Sequence, residues 1–243
     1  MTSQSIFYGE ECINFHVCVV PDRPKRKVAI HVHPDGSVQV DTPEGVANGE
    51  VREAVRKRAR WVLKHVTEAR RQREHVLPRQ YVSGESHFYL GRRHVLKVSI
   101  DANEKAGVKL VRGRLEVQCP KDNPGMIKDL LWAWYRKRSM EFIQRRLNTH
   151  TDGISWLSAP PPWKLASMQK QWGSCSPKGA LSLNAHLVKA PRECVDYVLL
   201  HELCHLKERN HSDRFYQLLE RQMPEWRSVK AKLDGMAELL LNE

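Results

Sequence analysis

The sequence predicts an α+β fold in two parts: a β-rich N-terminal region carrying one long basic helix, then a helical region built around a hairpin. Three observations carry that expectation. Runs of alternating apolar and polar residues crowd the first half, as in VAIHVHPDGSVQVDTP, HFYLGRRHVLKVSI and RLEVQCP. Apolar residues recur at helical spacing over residues 50–76 and again from residue 124. Beyond residue 190 three more helices follow, the last two separated by Met223-Pro224. The expected division is 1–122 and 123–243.

Each element has a local reason. Residues 1–48 read as strands, with Pro34-Asp35-Gly36-Ser37 as a hairpin turn. Val51, Val55, Ala59, Val62 and Val66 form one stripe of the helix 50–76. Its other positions carry Arg52, Arg56, Lys57, Arg58, Arg60, Lys64, Arg70, Arg71 and Arg73. Asn123-Pro124 opens the second long helix, because Asn caps well and Pro is tolerated at the first helical position. Ile127, Leu130, Leu131, Trp134, Tyr135 and Phe142 make its apolar stripe, and Asp152-Gly153 breaks it. KLASMQK and ALSLNAHLV read as strands flanking the turn QWGSCSPKG. In residues 181–188, Leu181, Leu183, Ala185 and Leu187 alternate with Ser182, Asn184 and His186. Pro191-Arg192-Glu193 starts the next helix. The sequence shows no internal repeat.

Composition narrows the class. A length of 243 residues with 41% hydrophobic content suits one large domain or two small ones, not a disordered chain. No run is apolar enough to span a membrane. The start, MTSQSIFYGEECINF, lacks a basic segment followed by an apolar one, so no secretory signal is expected. Six cysteines without a CxxC pair fit a reducing setting, and the expected location is cytoplasmic. The net charge of +12 favours acidic partners.

The chemistry-bearing stretch is HELCHLKERNH, residues 201–211. His201 and His205 are four apart, which on a helix puts both imidazoles on one face. Two neutral nitrogens so placed can share one tetrahedral zinc ion. Glu202, rotated by about 100° around the helix, can face a water held by that ion. His211 returns as a third ligand if the chain turns after His205; Asn210 is the expected left-handed or capping residue, and Ser212 the cap of the next helix. Three histidines leave a fourth position open for water, whereas closed structural sites recruit four ligands. A chance HExxH in a chain with 12 histidines arises roughly a few times in a hundred, and a third histidine at fixed spacing makes it rarer still.

Three stretches, QWGSCSPKG, LSLNAHL and VDYVLLHELCHLKERNHSDRFYQLLERQMPEW, resemble the YgjP-like metallopeptidases, relatives of the SprT-like and WLM zinc peptidases. The resemblance is strongest over residues 165–227, and GRRHVLKV and WAWYRKRSMEFIQRRL also fit it. It implies a zincin-like catalytic domain, with zinc on His201, His205 and His211 and Glu202 as general base. The spacing also matches HExxHxxGxxH of the metzincins. Glu208 stands where they have glycine, and Met223 before Pro224 reads as a core residue rather than a Met-turn, so that assignment is rejected.

The expected function is a zinc metallopeptidase with one Zn2+ per chain, acting on a protein or peptide substrate. Trp172 and Gly173 in the turn, and Asn184 on the outward side of the next strand, are the residues expected to meet substrate, with Trp172 as a cap of the core and the strand as a half-buried sheet strand the plainer readings; the hairpin could accept a peptide as an added strand. His186, Tyr197 and Tyr216 are candidates for the oxyanion donor, and His186 is left out of the metal shell. Over residues 50–76, Lys and Arg outnumber Asp and Glu nine to four. A solvated face explains this; a nucleic-acid surface is the alternative, without a zinc finger, helix-turn-helix or RNA-recognition signature to support it. Other readings remain: a nucleic-acid-associated protein with a structural or vestigial zinc site, a protease acting on nucleic-acid-bound proteins, and a zinc hydrolase of non-peptide amides. No membrane partner is expected.

Overall fold

A computed structural model describes residues 2–20, 28–33, 36–74, 78–168 and 171–242, and of residues 69–74 the backbone alone. It divides into two compact units, Met1–Leu77 and Pro78–Glu243.

In the first unit, strands β1 (Thr2–Tyr8), β2 (Glu11–Val19), β3 (Ala29–Val32) and β4 (Val38–Thr42) pair in the order β1-β2-β4-β3. The outer pairs are antiparallel and the central β2–β4 pair is parallel. Alternation decides the inner face: Ile6, Ile13, Phe15, Val17, Val38 and Val40 are buried. They meet Val51, Val55, Ala59, Val62 and Val66, the stripe expected of the basic helix. That helix is two helices, α1 (Asn48–Lys57) and α2 (Ala59–Glu74). The break is at Arg58, at φ −112° and ψ 12°, whose N–H reaches the Val55 carbonyl at 3.0 Å. This tighter bond lies between two stripe residues, so the apolar face survives the break. Arg52, Arg56, Lys57, Arg58, Arg60 and Lys64 are exposed. The side chains of Arg70, Arg71 and Arg73, the end of the expected helix at Val76, and the turn residues Pro34 and Asp35 lie outside the described residues. Around that turn, the His33 N–H donates to the Ser37 carbonyl at 2.9 Å and Gly36 takes φ +76°.

The second unit opens on strands β5 (Ser86–Tyr89), β6 (Arg92–Ile100), β7 (Gly107–Val111) and β8 (Arg114–Cys119). Their order, β5-β6-β8-β7, again has a parallel central pair and antiparallel outer pairs. Helix α3 (Pro124–Gly153) follows, and Asn123 caps it by accepting from the Met126 N–H. The expected division at 122/123 therefore gives way to one at 77/78. The reason is burial: Leu96, Leu115, Val117 and Cys119 of the sheet share one core with Ile127, Leu131, Trp134 and Tyr135 of α3. The Tyr135 hydroxyl also donates to the Phe88 carbonyl at 2.7 Å.

A small third sheet and three helices complete the unit. Strands β9 (Trp163–Ala166), β10 (Gly173–Cys175) and β11 (Leu181–Asn184) pair in the order β10-β11-β9. The two expected strands do not form a hairpin with each other. β9 runs parallel to β11, and the hairpin is β10–β11, so β10 comes from within the expected turn. The strand reading of residues 181–188 is also shortened. Ala185–Lys189 is a 3-10 turn, capped by Asn184, whose side-chain oxygen accepts from the His186 N–H. Helices α4 (Arg192–Cys204), α5 (Asp213–Gln222) and α6 (Trp226–Leu241) follow.

Helix α4 is fixed from several sides. The β5–β6 turn donates N–H bonds from Leu90 and Gly91 to the carbonyls of Val188 and Lys189. Gly91 sits at φ +77°, and a Cβ there would lie 2.8 Å from Pro191 Cα, at the start of α4. Ser139 on α3 donates to the Ala185 carbonyl at 2.9 Å. Arg146 of α3 holds Asp196 of α4 through two bonds of 2.6 and 2.9 Å, and His150 adds a third contact at 3.0 Å. Burial pushes the Asp196 carboxyl up, but the His150 and Arg146 bonds outweigh it and hold it below the usual range. No helix among the described residues is long and apolar enough to cross a membrane.

Candidate metal centre

Helix α4 buries Val195, Val198, Leu199, Leu200, Leu203 and Cys204, so its last turn is a rigid base. His201 and Glu202 stand on that turn, and His205 is the residue that ends the helix. The chain then winds through bonds from the Leu206, Lys207 and Glu208 N–H groups back to Leu203 and Cys204. It reverses at residues 210–212, where the Ser212 N–H meets the Asn210 carbonyl at 2.7 Å. Asn210 is not left-handed; among the described non-glycine residues only Tyr81, Leu90 and Arg112 take positive φ. Ser212 caps α5 as expected, accepting from the Phe215 N–H.

This path returns His211 to the two helix histidines. Each of His201, His205 and His211 offers a ring nitrogen, and the three lie within 4.8 Å of one another. The Nε2 atoms of His201 and His211 are 3.0 Å apart. His205 Nδ1 lies 3.2 Å from the Glu208 carbonyl oxygen, which can only accept, so Nδ1 carries the proton and Nε2 keeps its lone pair. Burial, with added repulsion from His211 and His205, pushes His201 down to about 3. Burial also lowers His205. Both are neutral near pH 7, as metal ligation requires.

Glu202 follows His201 on the last turn of α4. It is 5% exposed, its Oε2 is buried without a hydrogen-bond partner, and burial pushes its carboxyl up to about 8. Gly173 on β10 packs against it: a Cβ there would meet Glu202 Oε1 and Cγ at 2.9 Å. Glycine at 173 thus leaves the carboxylate its place.

The other expected site residues divide. Gly173 lies against Glu202, and Trp172 packs against the core, its carbonyl accepting from the Asn184 N–H at 2.9 Å. Asn184 is not placed to meet a substrate. It is wholly buried, and its amide donates to the carbonyls of Met168 and Gln171 at 2.7 and 3.0 Å. It holds the segment before β10, a structural use of its hydrogen bonds. His186 is buried, with Nδ1 2.8 Å from Lys189 Nζ and its ring 4.7 Å from Trp132, and it is not in the three-histidine group. Tyr197 and Tyr216 do border the ligands, at 5.9 Å from His201 and 6.1 Å from His211.

One residue that the sequence reasoning missed is Phe215. Fully buried, it touches all three histidines, with ring centroids 5.0, 4.6 and 4.8 Å away. The available signal was its place four residues after His211 in an amphipathic helix. Met223 is buried at the end of α5, the core role expected of it.

The YgjP-like metallopeptidase domain matches residues 26–236, most of the chain. The chain belongs to the YgjP-like metallopeptidases. Similar solved structures include the metallopeptidase zymogen of Pyrococcus abyssi abylysin, at 22% identity and a TM-score of 0.36. The match covers 40% of this YgjP-like chain and 94% of that chain. Another is the metallopeptidase zymogen of Methanocaldococcus jannaschii jannalysin, at 25% identity and a TM-score of 0.34, covering 37% and 92%. No curated protein matches the sequence.

The donor set fits the metal that this family implies. Zinc holds imidazole nitrogens at about 2 Å, which spaces two ligands of a tetrahedron about 3.3 Å apart. The 3.0 Å His201–His211 spacing is close to that. The orphaned Glu202 oxygen, on the helix turn that carries His201, suits a bound water better than a dry core.

Proposed function

We propose that the chain is a zinc-dependent peptidase in which His201, His205 and His211 hold one Zn2+ and Glu202 is the general base. The observation that carries this reading is the convergence of three imidazoles, with a buried, unpartnered carboxyl on the same turn of α4 as His201. Zinc bound there supplies Lewis-acid polarisation of the scissile carbonyl and lowers the pKa of water.

The protein groups divide the remaining work. His201 is kept neutral by burial, and His205 is oriented by its Nδ1–H on the Glu208 carbonyl. Glu202 takes a proton from the attacking water at its free oxygen and returns it to the leaving amine. Burial pushes that carboxyl up to about 8, which makes its ionised form the stronger base, and a dication nearby would favour that ionised form. Strand β10 is an edge of its sheet and carries Gly173 against Glu202. An extended peptide paired to that edge passes beside the base, which favours a peptide substrate over a small amide.

The test is Glu202→Gln, assayed with wild type on a broad peptide library. The variant is expected to keep its zinc and its fold and to lose at least a hundredfold in hydrolysis, on the order of a general-base contribution. Wild-type cleavage by zinc-loaded Glu202→Gln would remove Glu202 from the mechanism.

A further inference from the structure

His201 and His205 are held by α4, but His211 sits on the turn at residues 210–212 and is exposed. Something must orient its ring if it is to complete the site. A continuous stack of planar groups begins at that ring. Tyr216 lies nearly parallel to His211, at 6.1 Å and 24°. Trp226 lies on Tyr216 at 5.4 Å and 15°. The Arg227 guanidinium lies over the Trp226 ring at 4.6 Å. Glu220 fixes this end: it accepts two bonds from Arg227, at 2.9 and 2.7 Å, and one from Trp226 Nε1, at 3.2 Å. Tyr197, one helical turn before His201, is within 7° of parallel to Trp226 at 6.4 Å. The stack thus refers the loop histidine back to the helix that carries the other two.

We propose that Tyr216, Trp226 and the Arg227–Glu220 pair are positioning residues that preset the His211 ring for the metal. The inference rests on the zinc reading above. Ordinary core packing accounts for Phe215, which is fully buried, but not for the far end of the stack, where Arg227 is exposed and spends its guanidinium on one ring and one carboxylate. Partners that orient a ligating histidine typically change metal affinity 10–100-fold when removed. A ring held in place before the metal arrives also loses less freedom on binding.

The experiment is Co2+ titration of the chelator-stripped full chain, followed by the visible absorption of the bound ion. Tyr216→Ala is expected to bind Co2+ at least tenfold more weakly than wild type and to shift its absorption bands. Tyr216→Phe, which keeps the ring, is expected to restore both affinity and spectrum. Arg227→Ala, an exposed position where the fold survives, is expected to lose a smaller factor, about threefold to tenfold. His211→Ala separates the two readings. If His211→Ala weakens Co2+ binding while Tyr216→Ala and Arg227→Ala bind as wild type does, the clamp is wrong and the metal site stands. If Tyr216→Ala does not fold, the Arg227→Ala affinity decides alone. A Tyr216→Phe variant as weak as Tyr216→Ala overturns the stacking argument, and a wild-type chain that binds no Co2+ overturns both readings.

Discussion

A hairpin, a parallel pairing and a second hairpin arrange β1-β2-β4-β3 in the first unit and β5-β6-β8-β7 in the second, and each sheet shares its core with the helix that follows. The two cores differ in content. Among the described residues, the buried polar side chains of the first unit are Gln4 and Thr42. Gln4 donates to Asn48 at 2.7 Å and Thr42 to the Pro43 carbonyl at 3.2 Å, so both are satisfied locally. Among the described residues, the second unit buries His87, His94, Ser139, Thr151, Asn184, His186, Lys189 and Glu202. Burying such groups costs stability unless each is bonded, and Thr151 Oγ1 and Glu202 Oε2 are not. The contrast teaches that one topology serves either as a plain apolar scaffold or as a frame for polar chemistry. The second unit accepts a less favourable core, including a buried carboxyl on the helix that also carries His201.

The comparison breaks first if the cores are not separate. Phe15→Ala empties a 1% exposed position in the first core and is expected to cost about 3–5 kcal/mol there. Zinc content should not change. Leu199→Ala, at a fully buried position on α4, is expected to cost about 2–5 kcal/mol and to lower zinc content as well. Calorimetric unfolding beside elemental analysis reads both. Loss of zinc in Phe15→Ala would end the scaffold reading of the first unit.

A smaller effect sharpens the same contrast through pH. Burial, then the Arg79 charge, pushes His87 down to about 4. Its folded pKa is below the unfolded value of about 6.5, so the unfolded chain binds more protons in acid. The stability this neutral histidine preserves is complete above pH 6.5 and is lost as pH falls through 4. The metal-free second unit should therefore lose roughly 2–3 kcal/mol between pH 7 and 4 that His87→Gln does not lose. The first unit, with an apolar core, should not show that component. Identical acid profiles for wild type and His87→Gln would show that this histidine is not held neutral by the fold.

What could be read from the chain was local. Alternation at Ile13, Phe15 and Val17 and the four-residue spacing of Val51 and Val55 report burial directly, because side-chain direction follows backbone period. The spacing of His201 and His205, and the cap at Ser212, were legible for the same reason. Pairing was not. Nothing near Trp163–Ala166 says that it runs parallel to Leu181–Asn184, since that choice is made by contacts distant in sequence. The shared sheet order of the two units left no sequence repeat to find. The break at Arg58 was hidden because the valine stripe continues through it. Asn184 was misread because an amide on the outward side of a strand looks available until Met168 and Gln171 fold over it. Phe215 was missed because a core phenylalanine carries no chemical signature; only its contact with three histidines gives it meaning.

The central claim is that the second unit holds one metal ion on three histidines. Elemental analysis of the purified full chain tests it most directly, run beside the His201→Ala, His205→Ala double variant. The account predicts about one zinc per wild-type chain and essentially none in the double variant, with the first unit still folded. Unchanged zinc in the double variant would place the metal elsewhere and contradict the account.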